Sequence, residues 1–558
     1  MQGSLKAETG IYAPMLVPYT VTEPVRGQKG TALSGYAVGV FRDQFYTIGL
    51  RIEKLDSQTH ENLLHDDAIF RIYRGKRQET ADGQGAVLFY EKKTIIVSMK
   101  AMNNKKNVEH DFSKGSMIRN ILSMAVPVTI AQAVQLLYNL VDRVYLGHIG
   151  QGADQALTGV GLVFPIISIV SAFTQLYSGG GAPLMSIARG AGEEEKALKL
   201  ENVSFVLLIL TGVVLMGVFY IFMKPILYLL GASDATYPVA ASYLQIYLLG
   251  TLFIMISSGM NLFINAQGFG TMGMMTVCIG AVLNLFLDPL FIFVWKLGVR
   301  GAAIATVLSQ MAGCMWVLWF LTGKKVQYPL QRKYMKLKDR KMILSILGLG
   351  LSGFIMCVTN SLSQIACNAT LARWGGDLYV GAMTILNSVR EIFNLAANGV
   401  AEGAKPVLGY NFGAKEYERV RKGIFVTCGM ILSYMVLAWL TVHFFPSFLV
   451  GFFTSDKALA KIAAPALKLF FAGFFMMGFM FCGQATFVGL GFPKQAIFFS
   501  LLRKVVIVVP LTILLPYFMG VEGVFVAEPV SNYIGGIASF GTMLLTVMPI
   551  LLGKKQKI

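Results

Sequence analysis

Long apolar stretches alternate with short polar segments from about residue 118 to the end of the chain. Each stretch reaches the roughly 20 residues that an α-helix needs to cross a bilayer. The pattern therefore predicts an all-α membrane protein with twelve transmembrane helices. The predicted spans are residues 118–146, 156–188, 202–223, 238–267, 271–295, 301–322, 341–371, 378–410, 422–445, 461–490, 495–518 and 523–551.

The two halves of this region repeat each other. GAPLMSIARGAGEEE from Gly181 aligns with AKPVLGYNFGAKEYE from Ala404, and AQGFG from Ala266 aligns with GLGFP from Gly489, both at a spacing of 223 residues. A third match, LGVRGAAIATVLSQMAG with MGVEGVFVAEPVSNYIG, has a spacing of 222 residues. Since each half has an even number of spans, both halves enter the membrane from the same side. We expect two parallel six-helix repeats with a cavity between them.

The first hundred residues differ from the rest because they contain no apolar stretch of spanning length. Alternating pieces such as Ala68–Tyr73 predict strands, so we expect a short non-membrane extension with some β character. Met99 and Met102 are both suitable starts, and we interpret the segment before them as a fused fragment or an over-extended gene start. The predicted organisation is an N-terminal extension at 1–101, a six-helix lobe at 102–322, a cytoplasmic basic connector at 323–341 and a second six-helix lobe at 342–558.

Within the extension, Lys54 to Phe70 reads KLDSQTHENLLHDDAIF. This stretch resembles the opening of the prealbumin-like domains of Gram-positive surface adhesins, which begin K-x-D-x-x-T. In that family the lysine, here Lys54, can form an isopeptide bond with a later asparagine, and this chain has no matching partner or closing motif. An adhesin with a membrane anchor is thus one class of function to test, by surface labelling of residues 1–98 on intact cells.

Composition and charge placement agree with a membrane protein. Only 14% of the residues are charged, against about 25% in soluble domains. The formal charge of +18 does not indicate nucleic-acid binding, because the basic residues lie between the apolar stretches. From residue 99 on, with the first residue of each span counted in the loop before it and the N-terminus inside, the inward segments carry 23 lysines and arginines and the outward loops 6. By the positive-inside rule, both termini are expected in the cytoplasm. The six cysteines all fall in apolar stretches and are interpreted as packing residues.

The fifth span contains the strongest candidate for a functional site. Its aspartate, Asp288, lies in an otherwise apolar stretch, and Asn284 is four residues earlier on the same helix face. An aspartate in hydrocarbon costs roughly 2.5–3.5 kcal/mol on insertion scales. Pro289 follows and cannot donate to the carbonyl of Leu285, which leaves a free acceptor beside the carboxylate. An ion or proton site is favoured, and a pair with a lysine of a neighbouring helix is the alternative.

Two other spans of the first half offer oxygen ligands. In the first span Pro127 predicts a kink, and Asn139 and Asp142 follow it. The sixth span has Thr306 among small residues. Carboxylate, amide and hydroxyl oxygens are the ligands that a hard cation prefers. We therefore expect Asp142, Asn284, Asp288 and Thr306 to form a site for a cation or proton.

A set of motifs resembles the multidrug and toxic compound extrusion (MATE) family of bacterial transporters. The motifs are VDRVYLG, PLMSIARGAG with PVLGYNFGAK, AQGFG, NLFLDPLF and GAAIAT. The resemblance covers about residues 110 to 550. It implies two six-helix lobes and export of amphipathic, often cationic, compounds coupled to Na⁺ or H⁺. It also implies functional roles for the residues already named and for the kink proline.

The second half departs from the family pattern. Some members have carboxylates in the seventh and tenth helices, where this chain has Asn360, Gln364 and Gln484. A second ion site is therefore in doubt. Glu391 and Glu528 are expected either to face the cavity, with Asn139 and Gln364, or to pair with Arg390. Glu402 and Lys405 are three residues apart and are expected to pair with each other.

The leading hypothesis is an antiporter that exports small organic cations, works as a monomer in membrane lipid and needs no cofactor beyond its coupling ion. A flippase for lipid-linked saccharides, from the same superfamily, is the alternative. Flippases tend to line their cavity with arginine and lysine, whereas the core of the first half is acidic. HExxH, GxSxG and Walker A motifs and His/Cys clusters are absent from the sequence, so an enzyme, a metal site and a nucleic-acid partner are not expected.

Overall fold

The computed structural model describes residues 111–149, 158–323 and 326–553 with their side chains, and the backbone of six strands between residues 3 and 98. The chain forms two compact units, Met1–Lys105 and Lys106–Ile558. The divisions predicted at 101, 322 and 341 remain predictions.

The first unit contains three antiparallel strand pairs. The strands are β1 (Gly3–Lys6), β2 (Met15–Leu16), β3 (Gly39–Val40), β4 (Arg51–Lys54), β5 (Ile69–Glu79) and β6 (Ala86–Ser98), paired as β1–β4, β2–β3 and β5–β6. The strand predicted at Ala68–Tyr73 falls largely within β5. Most of the adhesin-like stretch, residues 55–68, lies outside the described residues.

The second unit is helical. Its spans are α1 (Met117–Gly147), α2 (Phe164–Gly190), α3 (Glu194–Ile221), α4 (Tyr237–Leu249 and Thr251–Ala266), α5 (Gly270–Pro289, then a π-helix at Leu290–Val294), α6 (Val299–Thr322), α7 (Arg340–Gly375), α8 (Asp377–Gly413), α9 (Tyr417–Phe444), α10 (Lys457–Phe470 and Met477–Gly489), α11 (Pro493–Leu501, a π-helix at Leu502–Val508, then Val509–Leu514 and Pro516–Met519) and α12 (Glu522–Thr546 and Met548–Leu551). Short helices occupy Met223–Leu229 and Pro446–Gly451, and single 3₁₀ turns occupy Arg332–Tyr334 and Phe474–Met476.

Length and composition make these helices candidates for crossing a membrane. Among the described residues nine helices qualify, or eleven when the bent pairs in α4 and α10 each count as one span. The twelfth, α8, is 37 residues long and carries five charged side chains, which lower its mean hydropathy. The twelve helices predicted from the apolar stretches are thus all present as helices.

The repeat is visible in the backbone. Gly268 and Gly491 have φ angles of 92° and 73°, and they lie at the spacing of the repeat. Gly298 and Gly520, with φ angles of 55° and 63°, form a second pair. Only glycine adopts these left-handed angles without strain, so the same turns separate the same helices in both halves. The bends of 54° in α4 and 44° in α10 also fall on equivalent helices.

The halves meet through matching helix pairs. Helix α1 packs on α8, and α7 packs on α2, which is the equivalent pair in the repeat. Ile121 and Met124, near the start of α1, belong to an apolar core with Leu408 and Ile424 of the second half. Leu146, at the far end of α1, belongs to the core of the first half. Helix α1 therefore connects both cores.

The lobes also pack closely where α2 and α8 end. A Cβ on Gly190 would lie 1.8 Å from the carbonyl oxygen of Tyr410, and a Cβ on Gly413 would lie 1.9 Å from that of Ile187. The two contacts are equivalent under the repeat, and only glycine allows such an approach. Because α1 begins at this end, we call it the α1-start side. It is closed by backbone packing between the lobes.

The connector between the lobes is bonded to the first lobe at this same end. The backbone N–H of Tyr328 donates to Oε1 of Gln267 at 3.3 Å, and Nε2 of Gln267 donates to the Tyr328 carbonyl at 3.1 Å. The same amide donates to the buried carboxylate of Glu201. Further along, the N–H of Gln331 donates to Oδ1 of Asn202 at 2.7 Å. These bonds fix the connector against α3 and α4.

One buried arginine joins the connector to the second lobe. The guanidinium of Arg189, on α2, lies 5.5 Å from the ring centre of Tyr328 and 5.6 Å from that of Tyr410 on α8. It also donates to the carbonyl oxygen of Ala266. A cation between two aromatic faces is favourable when it is removed from water. Arg189 thus links the two lobes beside the glycine contacts.

Candidate functional site

The structure brings the predicted coupling residues of the first lobe together. Asn284 and Asp288 share one face of α5, and Nδ2 of Asn284 donates to Oδ1 of Asp288 at 3.2 Å. Asp142, from α1, lies within hydrogen-bonding reach of Asp288. Thr306, from α6, lies beside Tyr243, which is also close to Asp142. Asp288 is 0% exposed, so this is a polar cluster inside an apolar lobe.

Local helix geometry explains why the polar group occurs at this point of α5. Pro289 has no N–H, and the backbone continues as a π-helix from Leu290 to Val294. Such wider turns arise where the regular hydrogen-bond ladder is interrupted, and they are frequent at functional sites. The carboxylate of Asp288 therefore sits at the start of an irregular turn, where backbone carbonyls lack their usual donors.

Tyrosines complete the cluster, and the sequence reasoning missed them. Tyr243 and Tyr247 of α4 stack with ring centres 5.9 Å apart. Tyr243 lies beside Thr306 and Tyr247 beside Gln310. Tyr138 of α1 is close to both aspartates. A pair of tyrosines four residues apart in an apolar span was the available signal, since buried hydroxyls need partners.

The alternative of a lysine partner for Asp288 is wrong within the part of the chain that the structure describes. The buried and half-buried ion pairs of this part involve Glu528 and Glu402 instead. The charged group near Asp288 is a second carboxyl, that of Asp142. Two buried carboxylates in contact cannot both remain ionised without a cation between them. The pair can therefore hold one shared proton or one bound cation.

A cavity of about 500 Å³ lies between the lobes. It is lined by all four residues predicted for a substrate cavity, which are Asn139, Gln364, Glu391 and Glu528. Asn360 and Gln484, which replace the carboxylates of other family members, line it too. Asp142 and Asp288 do not line it, so the acidic pair and the cavity are separate features of the fold.

The second lobe forms a charge cluster at the cavity wall. Glu528 is 4% exposed, and its Oε1 accepts from Arg503 at 2.8 Å, from Lys504 at 3.3 Å and from Arg390 at 3.4 Å. The predicted pair with Arg390 is therefore present as part of a larger group. Arg503 and Lys504 were missed, although they stand next to each other inside the predicted span 495–518. Two adjacent basic residues in an apolar stretch were the signal.

A smaller cavity of about 270 Å³ lies nearer the α1-start side. Glu402 and Lys405 line it and pair with each other at 2.5 Å, as predicted from their spacing. Asn261 and Asn265 of α4 also face it. No group of three or more potential metal ligands among His, Cys, Asp and Glu occurs in the described part of the chain.

Comparison with known proteins connects this arrangement to transporters. The MatE family model matches residues 127–290 and 352–514. The multidrug export protein MepA of Staphylococcus aureus (strain N315) is 24% identical over 418 residues, which are 74% of this chain and 90% of that protein. MepA of Staphylococcus saprophyticus is 23% identical over the same shares of the two chains.

Solved structures share the fold. A MOP superfamily transporter from Pyrococcus furiosus, reported with a binding pocket of reverse polarity, has a TM-score of 0.75, is 22% identical and covers 80% of this chain and 98% of its own. MATE in the bent conformation has a TM-score of 0.75, is 21% identical and covers 81% of this chain and 99% of its own. MATE in the straight conformation has a TM-score of 0.74 at 21% identity, covering 79% of this chain and 98% of its own.

Proposed function

Because the chain belongs to the MatE family, as its motifs predicted, we propose that it is a secondary active antiporter. It exports amphipathic organic cations from a bacterial cell in exchange for Na⁺ or H⁺. Transport, and no enzymatic reaction, is its expected activity. The observation that supports this best is the pair of acidic side chains, the half-buried Asp142 and the buried Asp288, which lie within one lobe and apart from the cavity between the lobes.

Separate sites are what an exchange mechanism needs. A ligand shifts a conformational equilibrium only by its different affinity for the two states. If the ion binds between α1 and α5 while the substrate binds between the lobes, each can favour a different arrangement of the same helices. Helix α1 contributes Asp142 to one site and Asn139 to the other. It is therefore the natural element to transmit ion binding to the cavity.

The charge pattern orients this structure in the membrane. With both termini in the cytoplasm, as the positive-inside rule predicts, the α1-start side is the cytoplasmic side. The glycine contacts between α2 and α8 then close the cytoplasmic half. In that orientation the structure is closed toward the cytoplasm, which is what an exporter in the plasma membrane needs in the state that faces outward.

The cavity lining suits varied apolar cargo. Met356, Met383, Met477 and Met480 line it, and methionine side chains adapt to ligands of different shape. Glu391 is exposed at the same wall. This carboxylate is available to a cationic group of the substrate.

The proposal is tested with purified protein in lipid vesicles that contain a fluorescent organic cation. Inward sodium and proton gradients are applied separately, and dye efflux is recorded. Efflux that one gradient accelerates and an ionophore for that ion abolishes is the expected result. Equal leakage with and without either gradient would contradict an ion-coupled exporter.

Pro127→Ala is expected to leave the protein inserted but to slow turnover. The proline frees the carbonyl of Ser123 in α1, and structures of MATE exist in bent and straight conformations. A bend at this point lets the part of α1 that carries Asp142 move on its own. The measurement is the initial rate of dye efflux at equal protein density. Pro446→Ala, at the first turn of a short helix outside the lobes' contact, is the matched control.

Removal of residues 1–101 is expected to leave transport unchanged. The repeat begins after this segment, and the unit Lys106–Ile558 is compact without it. A chain that starts at Met102 should show the same efflux rate and the same melting temperature in detergent. A lost or slowed efflux at normal expression would mean that the extension contributes to function.

A flippase for lipid-linked saccharides is the second candidate. Three basic side chains, Arg390, Arg503 and Lys504, line the cavity, which is the feature expected of a flippase. In vesicles that contain a fluorescent polyprenyl-phosphate lipid, a flippase would move label between leaflets without any ion gradient. An exporter of organic cations would leave that label in place.

A further inference from the structure

The charge cluster of the second lobe contains more positive than negative groups. Arg390, Arg503 and Lys504 surround one carboxylate, Glu528. Arginine stays protonated in proteins, so even a neutral Lys504 would leave two guanidinium groups facing one carboxylate. Arg503 is only 6% exposed and Lys504 only 7%. A buried charge without a counter-charge is costly inside a membrane protein, and the excess is therefore available to an added anion.

The hydrogen bonds of Arg503 leave donors unused. Its Nη2 donates to Glu528 and its Nη1 reaches only the sulfur of Met480, at 3.7 Å. Its Nε has no hydrogen-bond partner among the described residues. An unsatisfied buried donor costs free energy. A guanidinium fork also fits a carboxylate or phosphate with two parallel bonds. Arg503 lines the cavity of about 500 Å³, so a ligand in that cavity can reach the fork.

The repeat shows that the fold does not need these charges. At the spacing of 223 residues, Arg503 and Lys504 correspond to Gly280 and Ala281 of α5. Glu528 corresponds to Thr306 at the spacing of 222 residues. The same scaffold therefore stands without an ionic cluster in the first lobe. In the second lobe the basic pair lies within the π-helix Leu502–Val508, the kind of irregular turn that often accompanies function.

We propose that Arg503 and Lys504, together with Arg390, form a subsite for an anionic group, a carboxylate or a phosphate, of a ligand in the inter-lobe cavity. Glu391, which lines the same cavity, is exposed and has no ion-pair partner in the described part of the chain, receives the cationic group of the same ligand. The preferred substrates are then amphipathic zwitterions. This inference rests on the proposed export function and narrows its substrate class.

The test compares two dyes that differ by one charge. Tetramethylrhodamine carries a free carboxylate beside its delocalised cation, and its methyl ester keeps only the cation. Binding of each dye to the full chain in nanodiscs of neutral phosphatidylcholine is measured by fluorescence polarisation. The wild-type protein should bind the free acid about tenfold more tightly than the ester, since charge-assisted hydrogen bonds are about twice as strong as neutral ones.

Three variants separate the subsite from general damage. Arg503→Gln and Lys504→Gln should each remove most of the preference for the acid, because the acid loses a partner for its carboxylate and the ester does not. Glu528→Gln should increase the preference, because the competing carboxylate is lost, and a merely misfolded protein would not gain affinity. Lys494→Gln changes an exposed lysine of the same span and should have no effect.

A second lipid distinguishes the two sources of the anion. If a lipid phosphate occupies the subsite, added phosphatidylglycerol should weaken acid binding to the wild-type protein and not to Lys504→Gln. If the anion belongs to the substrate alone, phosphatidylglycerol should change neither. Equal affinity of the wild-type protein for both dyes, or a preference that survives in both basic variants, would overturn the subsite. Failure of the ester to be transported at all would instead count against the proposed export of cations.

Discussion

Asp288→Asn is expected to abolish ion-driven accumulation of substrate while leaving the protein folded and able to bind dye. Asparagine keeps the shape and one carbonyl oxygen, and it removes the charge that allows the pair with Asp142 to hold a proton or cation. Coupling between two ligand sites typically changes affinity by roughly 5–150-fold, and this factor should disappear. The measurement is dye efflux under a fixed sodium or proton gradient.

Variants of two neighbouring residues and one control variant complete this experiment. Asp142→Asn should produce the same loss, because the two carboxyl groups act on one ion. Asn284→Ala should weaken the ion dependence less, since it removes an oxygen and no charge. Asp234→Asn makes the same chemical change in an exposed loop and should behave as the wild type does. A wild-type rate for Asp288→Asn would direct the search to Glu391 and Glu528.

Gly413→Ala is expected to open the end of the molecule where α2 and α8 now touch. Its Cβ would lie 1.9 Å from the carbonyl oxygen of Ile187, whereas carbon and oxygen normally approach to about 3.3–3.6 Å. The helices must therefore separate by more than an ångström, which disfavours the present state. Gly190→Ala should act in the same way through Tyr410.

The outcome is measured by hydrogen–deuterium exchange at the ends of α2 and α8, together with efflux. Faster exchange of both ends and at least a tenfold slower efflux are expected, because the population of one conformer needed for the cycle falls. Gly217→Ala is the control, since a Cβ there meets open space. Unchanged hydrogen–deuterium exchange in both Gly413→Ala and Gly190→Ala would mean that the contact between the ends of α2 and α8 does not hold the lobes together.

The spans were predictable because each one removes a long apolar run from water, and such a run consists of consecutive residues that can be read directly from the sequence. Even α8 was found, despite Arg390, Glu391, Glu402 and Lys405. The repeat was also predictable from local sequence, because left-handed turns such as those at Gly268 and Gly491 require glycine and so keep short motifs alike in both halves. The irregular features, the bends of α4 and α10 and the π-helices, depend on packing between helices and were not predicted.

The candidate site was predicted in part. Asp288 stood out because a charge in an apolar span is rare, and Asp142 and Thr306 were added as oxygen ligands of neighbouring spans, in agreement with the family resemblance. Their convergence depends on how α1, α5 and α6 pack, which no local pattern contains. Tyr243 and Tyr247 were missed because tyrosine is common at membrane interfaces. Arg503 and Lys504 were missed because basic residues had been assigned to loops.

The bonds between the connector and the first lobe have a consequence for synthesis. The chain leaves the ribosome at about 5–20 residues per second, so residues 342–558 need about 10–40 s after the connector has emerged. Gln267 and Asn202, the partners of Tyr328 and Gln331, are already in the membrane by then. The connector can thus form its hydrogen bonds to the first lobe, with Asp142 and Asp288 already in place, before the second lobe is translated. Until the second lobe is made, Arg189 would contact only the ring of Tyr328. Its contact with Tyr410 would form last and would join the two lobes.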